Sequence, residues 1–126
     1  MKAALLYASL GLSLLACKKA EAPTGVAIRV RNASTEPFDA LLVDTSGGEQ
    51  AYGPVGAGQR SDYRSFTRAY AYAYLRVTVR GQDLVWQPID YVGQQPLSAG
   101  QYTYVVDVVR NTSTGTSSLY LQLERP

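Results

Sequence analysis

The side chains that could take part in chemistry are few in this chain of 126 residues. It contains no histidine, which removes the usual proton shuttle and the commonest metal ligand. The only cysteine is Cys17, so internal disulfides and thiolate clusters are both excluded. Every lysine lies at or before Lys19, so no serine–lysine pair is available to the rest of the chain. Nucleophilic catalysis by serine or cysteine therefore lacks a histidine or lysine base, and we expect neither an enzyme nor a cofactor.

Acidic residues are the remaining candidates for acid–base or metal chemistry. Scattered carboxylates more often serve turns and outer strand faces than catalysis. Residues 44–49, Asp-Thr-Ser-Gly-Gly-Glu, offer oxygen ligands around glycines but lack the spacing of an EF-hand calcium loop. We interpret that segment as a solvated turn capped by Asp44 and expect no metal site. The aspartates are dispersed along the chain: Asp39, Asp44, Asp62, Asp83, Asp90 and Asp107.

A stripe of aromatic and basic residues is the one suggestive surface feature. Over residues 69–80 the side chains alternate, so that Tyr70, Tyr72, Tyr74 and Arg76 share one face of a predicted strand. Rows of exposed aromatic rings are typical of sugar-stacking platforms and of protein interfaces. The alternative is that the tyrosines point into the core, because large aromatic side chains are more often buried than functional. The sequence leaves both interpretations open.

The amino-terminal segment has the pattern of a secretory signal. Met1 and Lys2 precede an uncharged stretch, residues 3–16. As a helix that stretch would span about 21 Å, short of the roughly 30 Å hydrocarbon core of a bilayer. We therefore expect a cleaved signal peptide over residues 1–16 rather than a transmembrane helix.

Leu14-Leu15-Ala16-Cys17 resembles the lipobox of bacterial lipoproteins. The resemblance implies that diacylglycerol is attached to the Cys17 thiol, that cleavage follows Ala16, and that Cys17 becomes the acylated first residue. An ordinary signal peptide, or a buried first helix with a chance cysteine, is the alternative. Lys18 is not the aspartate that retains many lipoproteins of two-membrane bacteria at the inner membrane. The resemblance therefore favours the outer membrane if the cell has one.

Residues 17–24 are predicted to be the lipidated cysteine followed by a short flexible tether. The segment is polar, rich in small residues and contains Pro23, all of which argue against regular structure. The folded domain is expected over residues 25–126, in the cell envelope and close to its membrane. Arginines and acidic residues are equal in number from Thr24 onward, so nothing indicates electrostatic capture of nucleic acid.

The domain itself shows a hydrophobic period of two residues, which is typical of β-strands. Gly81-Gln82 is predicted to be the two-residue turn of a hairpin. Six or seven short strands separated by turn residues predict an all-β, antiparallel two-sheet β-sandwich of the Greek-key, Ig-like kind. The predicted strands cover residues 26–31, 38–43, 61–66, 69–79, 84–86, 102–109 and 119–123.

Residues 97–102, Leu-Ser-Ala-Gly-Gln-Tyr, resemble the lead-in to late strands of Greek-key sandwich domains. The resemblance implies a buried Tyr102 whose hydroxyl bonds back to the backbone upstream. A plain turn ahead of a strand is the alternative. The wider pattern is similar to small uncharacterised envelope lipoproteins of the Bacteroidota type, which have no defined activity to carry over to this chain.

These observations lead to two functional hypotheses. The first is a non-catalytic, lipid-anchored lipoprotein that binds another envelope protein or assembles with one. The second is a small carbohydrate-binding module that uses Tyr70, Tyr72 and Tyr74 as a stacking platform. An enzyme would need a pair of carboxylates in a cleft that perturbs their pKa values.

Overall fold

The computed structural model describes residues 25–125, and within them every regular element is a β-strand. The predicted signal peptide, Cys17 and the tether lie outside the described residues. No helix within residues 25–125 is long and apolar enough to cross a membrane. The strands are β1 (Val26–Asn32), β2 (Ala40–Asp44), β3 (Glu49–Tyr52), β4 (Arg64–Phe66), β5 (Tyr74–Val79), β6 (Gln82–Trp86), β7 (Gly100–Arg110) and β8 (Ser117–Glu124).

The strands form two four-stranded sheets, which confirms the prediction of an all-β, two-sheet sandwich. The first sheet has the order β4-β1-β7-β8 and the second has the order β3-β2-β5-β6. The expectation of purely antiparallel sheets was wrong at one pairing, because β1 runs parallel to β7 with Val26 opposite Gly100. The strands number eight rather than six or seven. The missed strand is β3, in which Tyr52 is the only large apolar residue.

The core lies between the two sheets, and each long strand supplies alternate residues to it. Along β1 the even-numbered residues are buried and the odd-numbered residues are half-buried, in strict alternation. In β2, where consecutive residues are apolar, Leu41 and Val43 point into the core and Leu42 points outward. Burial of these apolar side chains is the main favourable contribution to folding. The largest fully buried apolar side chains are Tyr104, Phe38, Ile28, Leu75, Val30, Val43, Val77 and Val106.

The strand predicted over residues 69–79 is regular only from Tyr74 onward. The preceding backbone is bound by other segments of the domain instead of by a neighbouring strand. The carbonyl of Ala69 accepts a hydrogen bond from the Leu97 amide at 2.8 Å, and the carbonyl of Tyr70 accepts one from the Tyr104 hydroxyl at 2.6 Å. These two hydrogen bonds hold residues 69–73 against the edge of the core, although this segment does not pair with a neighbouring strand.

The hairpin between β5 and β6 turns one residue earlier than predicted. Val79 pairs with Gln82, so the two turn residues are Arg80 and Gly81 rather than Gly81 and Gln82. Both have positive φ angles, 51° and 76°, as the type I′ turn requires. Glycine therefore occupies the second central position, and Arg80 adopts a left-handed conformation that side chains other than glycine rarely take.

Tyr102 makes the hydrogen bond that the segment 97–102 predicted. Its ring is buried, and its hydroxyl donates to the backbone carbonyl of Ser98 at 2.9 Å. Leu97 is buried beside the core in the same segment. This tyrosine corner fixes the path of the chain into β7.

Candidate functional site

Half of the tyrosine–arginine stripe lies on the outer surface of the second sheet, because Tyr70 and Tyr72 precede β5. In β5 the inward positions are held by Leu75, Val77 and Val79, whereas Tyr74 and Arg76 point outward. Ala69 and Ala73 hold the buried positions ahead of β5. Tyr70, Tyr72 and Tyr74 are each half-buried, and Tyr72 packs against the edge of the core.

Tyr91 covers two of the three tyrosines in the stripe. Its ring stacks on Tyr70 with centroids 4.7 Å apart and on Tyr72 with centroids 5.5 Å apart. The Tyr72 hydroxyl also donates a hydrogen bond to the carbonyl of Asp90 at 2.8 Å. The three tyrosines of the stripe are thus half-buried, and they do not form a row of bare rings.

We call residues 87–99 the clamped loop, because the tyrosine contacts fasten its middle to the second sheet. Its carboxyl end is held by the Leu97 amide, which donates to the carbonyl of Ala69. The loop nevertheless presents two apolar side chains to solvent, since Ile89 is fully exposed and Val92 is 85% exposed. The sequence reasoning missed this loop as a feature of the site. The available signal was the pattern of apolar and aromatic residues between Pro88 and Gly93.

A shallow cavity of about 320 Å³ opens between Tyr74 and the start of the clamped loop. It combines aromatic rings with a carboxylate, a hydroxyl and an amide, which are the groups that bind sugars and peptides. Burial raises the pKa of the Tyr91 hydroxyl, against the opposing effect of its hydrogen bond to the Tyr74 backbone. The lining residues are Asp44, Ser46, Tyr74, Gln87, Pro88 and Tyr91.

Asp44 caps the turn that follows β2, as the sequence predicted. One of its carboxylate oxygens accepts a hydrogen bond of 2.9 Å from the Ser46 amide. Other aspartates are used in the same local way: Asp83 accepts from the Thr78 hydroxyl at 2.7 Å, and Asp90 accepts from a loop amide at 3.1 Å. Within residues 25–125, no three acidic, cysteine or histidine side chains gather as a metal site would need.

The outer face of the second sheet carries Asp44 and Glu49 towards one end of the strands and Asp83 towards the other, and between them lies a row with one charged member. Leu42 lies opposite Ala51 on one side and Arg76 on the other, and Arg76 lies opposite Val85. A row of four side chains thus crosses the whole sheet with a single arginine in it. Val85 is 50% exposed, Leu42 is half-buried, and Ala51 and the nearby Ala40 are exposed.

The outer face of the first sheet is charged and internally paired. The Arg29 guanidinium donates to the Thr103 hydroxyl at 3.0 Å, and the Arg31 guanidinium lies 3.5 Å from the carboxylate of Glu124. Polar outer faces of this kind are usual for a sheet that has only one face in the core. This face also exposes Val109 and Tyr120, so the second sheet differs from it in having one row of apolar side chains that crosses all four strands and is interrupted only by Arg76.

Comparison with known proteins supports the fold and nothing finer. No protein-family model matches the chain, and no curated protein matches it. Among solved structures, the chain is similar to the NMR structure of a protein from Eubacterium rectale, with a TM-score of 0.57 and 12% sequence identity. The match covers 80% of this chain and 91% of that one. At this identity the similarity shows a shared β-sandwich, and it carries no function.

Proposed function

We propose that this protein is a non-catalytic lipoprotein of the cell envelope that binds another envelope protein through the outer face of its second sheet. In this proposal the lipid anchor is attached to Cys17, because residues 14–17 resemble a lipobox. Several acyl chains on one cysteine hold a protein at a membrane almost irreversibly, since each buried methylene contributes about 0.8 kcal/mol. Lys18 after the cysteine favours the outer membrane by the same resemblance.

The row that crosses the second sheet, in which Arg76 is the one charged residue, is the observation that carries the binding proposal. A sheet face turned to water is usually lined with polar side chains. The centre of a protein interface is instead depleted of charge and enriched in aromatic residues and arginine. The row Ala51–Leu42–Arg76–Val85, with Tyr74 beside it, has that composition.

Site-directed photo-crosslinking on the full-length protein in native membranes tests this surface. A benzophenone side chain is placed at Val85 and, as the matched control, at Val109 on the first sheet, since these valines are 50% and 51% exposed. We expect one specific protein adduct from position 85 and none from position 109. Arg76→Glu, combined with the benzophenone at position 85, should abolish that adduct. Equal adducts from both positions would contradict the assignment of the surface.

The anchor is tested separately by Cys17→Ser. We expect the variant to lose its acyl mass and to move from the membrane fraction to the soluble fraction. A variant that stays with the membrane and keeps the wild-type cleavage pattern would remove the lipoprotein proposal, whatever the crosslinking shows.

Carbohydrate binding is the second candidate function, and the cavity beside Tyr74 favours it. The predicted platform of Tyr70, Tyr72 and Tyr74 is reduced by Tyr91, so Tyr74 is the stripe residue that still borders an open cavity. Affinity electrophoresis in soluble polysaccharides tests this candidate. Retardation that is lost in Tyr74→Ala and Gln87→Ala, and kept in Tyr120→Ala, would support it. Migration unaffected by polysaccharide would eliminate it.

A further inference from the structure

The chain enters the domain beside the carboxyl end of the clamped loop. The Gly25 carbonyl accepts a hydrogen bond from the Gly100 amide at 3.3 Å, and Val26 pairs with Gly100. Gly100 directly follows the clamped loop, residues 87–99. The entry point of the tether and the clamped loop therefore lie at the same end of the sandwich, which we call the tether end.

The length of the tether keeps this end near the lipid. Residues 18–24 separate Cys17 from Gly25, and fully extended they reach at most about 25 Å. β7 has 11 residues and is about 36 Å long, so the opposite end of the sandwich lies farther from Gly25 than the tether can reach. The tether end is thus the part of the domain that stays within reach of the membrane surface.

The tether end is also where apolar side chains are most exposed. Ile89 and Val92 are the two most exposed large apolar residues of residues 25–125. They are held outward by a fastened loop, because Tyr91 stacks on Tyr70 and Tyr72 behind them. Asp90 stands between them, but its carboxylate accepts a hydrogen bond from the Val92 amide at 3.1 Å. An apolar pair backed by tyrosine rings suits the boundary between headgroups and acyl chains, where tyrosine is enriched.

We propose that the clamped loop touches the membrane that carries the anchor, with Ile89 and Val92 at the acyl–headgroup boundary. This contact rests on the lipid anchor of the proposed function. Lys18 and Lys19 add attraction to anionic lipid on the tether side. A second contact beside the anchor fixes the orientation of the domain, so that the outer face of the second sheet is presented sideways to a partner in the same envelope.

The test uses the full-length lipidated protein in vesicles of phosphatidylethanolamine and phosphatidylglycerol. Ile89→Cys and Val92→Cys each introduce one free thiol, because lipidation consumes the only native one at Cys17. Val109→Cys is the control, since Val109 is 51% exposed near the end of β7 away from the tether. Each thiol carries an environment-sensitive fluorophore. Lipids labelled with nitroxide along the acyl chain serve as quenchers.

We expect blue-shifted emission and quenching at least several-fold stronger at positions 89 and 92 than at position 109. Equal emission and equal quenching at the three positions would overturn the membrane contact. Blue-shifted emission at positions 89 and 92 without quenching by the labelled lipids would also overturn it, because the fluorophores would then be shielded by the protein itself. Failure of the anchor looks different, because wild-type protein would then take up label at Cys17 and would not float with the vesicles.

Discussion

The hydroxyl of Tyr104 donates a hydrogen bond of 2.6 Å to the backbone carbonyl of Tyr70, across the interior of the sandwich. Tyr104 is fully buried in the first sheet, whereas Tyr70 lies ahead of β5 and carries the stacked ring of Tyr91. One buried hydroxyl thus connects the core to the segment that supports the clamped loop. Stability of the core and order of the loop are therefore coupled through this contact.

Tyr104→Phe tests the value of that hydrogen bond. The change leaves the Tyr70 carbonyl without its buried donor, so we expect the free energy of unfolding to fall by about 1–2 kcal/mol. Urea unfolding followed by the fluorescence of Trp86, the only tryptophan, measures the effect. Tyr120→Phe is the control, because Tyr120 is 54% exposed. A loss no larger than that of the control would mean that the hydrogen bond contributes nothing.

Alkaline pH should destabilise the fold through two buried tyrosines. Burial raises the pKa of Tyr104 and of Tyr52 above the ordinary value of 10.0, and Arg64 only partly opposes the rise at Tyr52. The unfolded chain therefore loses these protons at lower pH than the folded chain. Stability is complete below about pH 10 and is lost above it, by up to about 1.4 kcal/mol per pH unit for each tyrosine.

Urea midpoints between about pH 9 and about pH 11 check this sign, with tyrosinate absorbance as a second signal. Tyr52→Phe and Tyr104→Phe should each flatten the fall in stability above about pH 10, since each removes one titrating group. A wild-type midpoint that is constant across this range would contradict the prediction.

Gly47, in the loop after β2, packs closely against the backbone of Thr67 and Arg68, which directly follow β4. Only glycine fits this close approach. A Cβ built on Gly47 would clash with the backbone carbonyl oxygen of Arg68. The Gly47 carbonyl also accepts a hydrogen bond of 3.0 Å from the Thr67 amide, which joins the two sheets at this edge. We expect Gly47→Ala to destabilise the domain by about 2–3 kcal/mol in urea unfolding. Gly53→Ala is the matched control, because nothing lies within 4 Å of the Cβ built there. Equal free energies of unfolding for Gly47→Ala and Gly53→Ala would contradict the prediction, because the backbone around Gly47 would then accommodate a Cβ without cost.

The strands that the sequence predicted best are those whose alternation is strict. β1 and β8 alternate apolar and polar residues, and burial of one set against the core leaves no competing register. β3 was missed because a four-residue edge strand with one large apolar side chain carries little periodic signal. The parallel pairing of β1 with β7 could not be predicted either. It depends on packing between segments about seventy residues apart, which local periodicity does not encode.

The candidate site was only partly predictable for a similar reason. The alternation around Tyr74 describes β5, where Tyr74 and Arg76 share the outer face, but the segment ahead of β5 is placed by tertiary packing, which buries Ala69 and Ala73. Tyr91 was missed because it reaches Tyr70 and Tyr72 from a distant loop rich in proline and glutamine. Such composition predicts a loop and says nothing about which surface the loop covers.

The turn between β5 and β6 stores strain at Arg80. Its φ of 51° is costly for a residue with a Cβ, whereas asparagine tolerates this region. Arg80→Asn also removes the ion pair between Arg80 and Glu36, whose charged atoms lie 2.8 Å apart. Because the Arg80 side chain is 73% exposed, salt screens this ion pair. We expect Arg80→Asn to stabilise the domain by about 0.5–1 kcal/mol in high salt, with a smaller gain in low salt. Glu36→Gln measures the ion pair alone. Destabilisation by Arg80→Asn in high salt would contradict the strain argument.

Tyr91→Ala should release the clamped loop without unfolding the sandwich. Two ring contacts are lost, each worth about 0.5–1.5 kcal/mol, so amide exchange across residues 87–96 should accelerate roughly ten-fold or more. Tyr91→Phe keeps both stacked contacts and should retain most of the protection. Hydrogen exchange resolved by mass spectrometry compares the two variants, and the protection of β1 and β7 should remain near wild type in both. Equal exchange in the loop of Tyr91→Ala and wild type would show that other contacts order it. The same pair of variants bears on the membrane contact, because a released loop should hold Ile89 at the lipid surface less firmly than a fastened one.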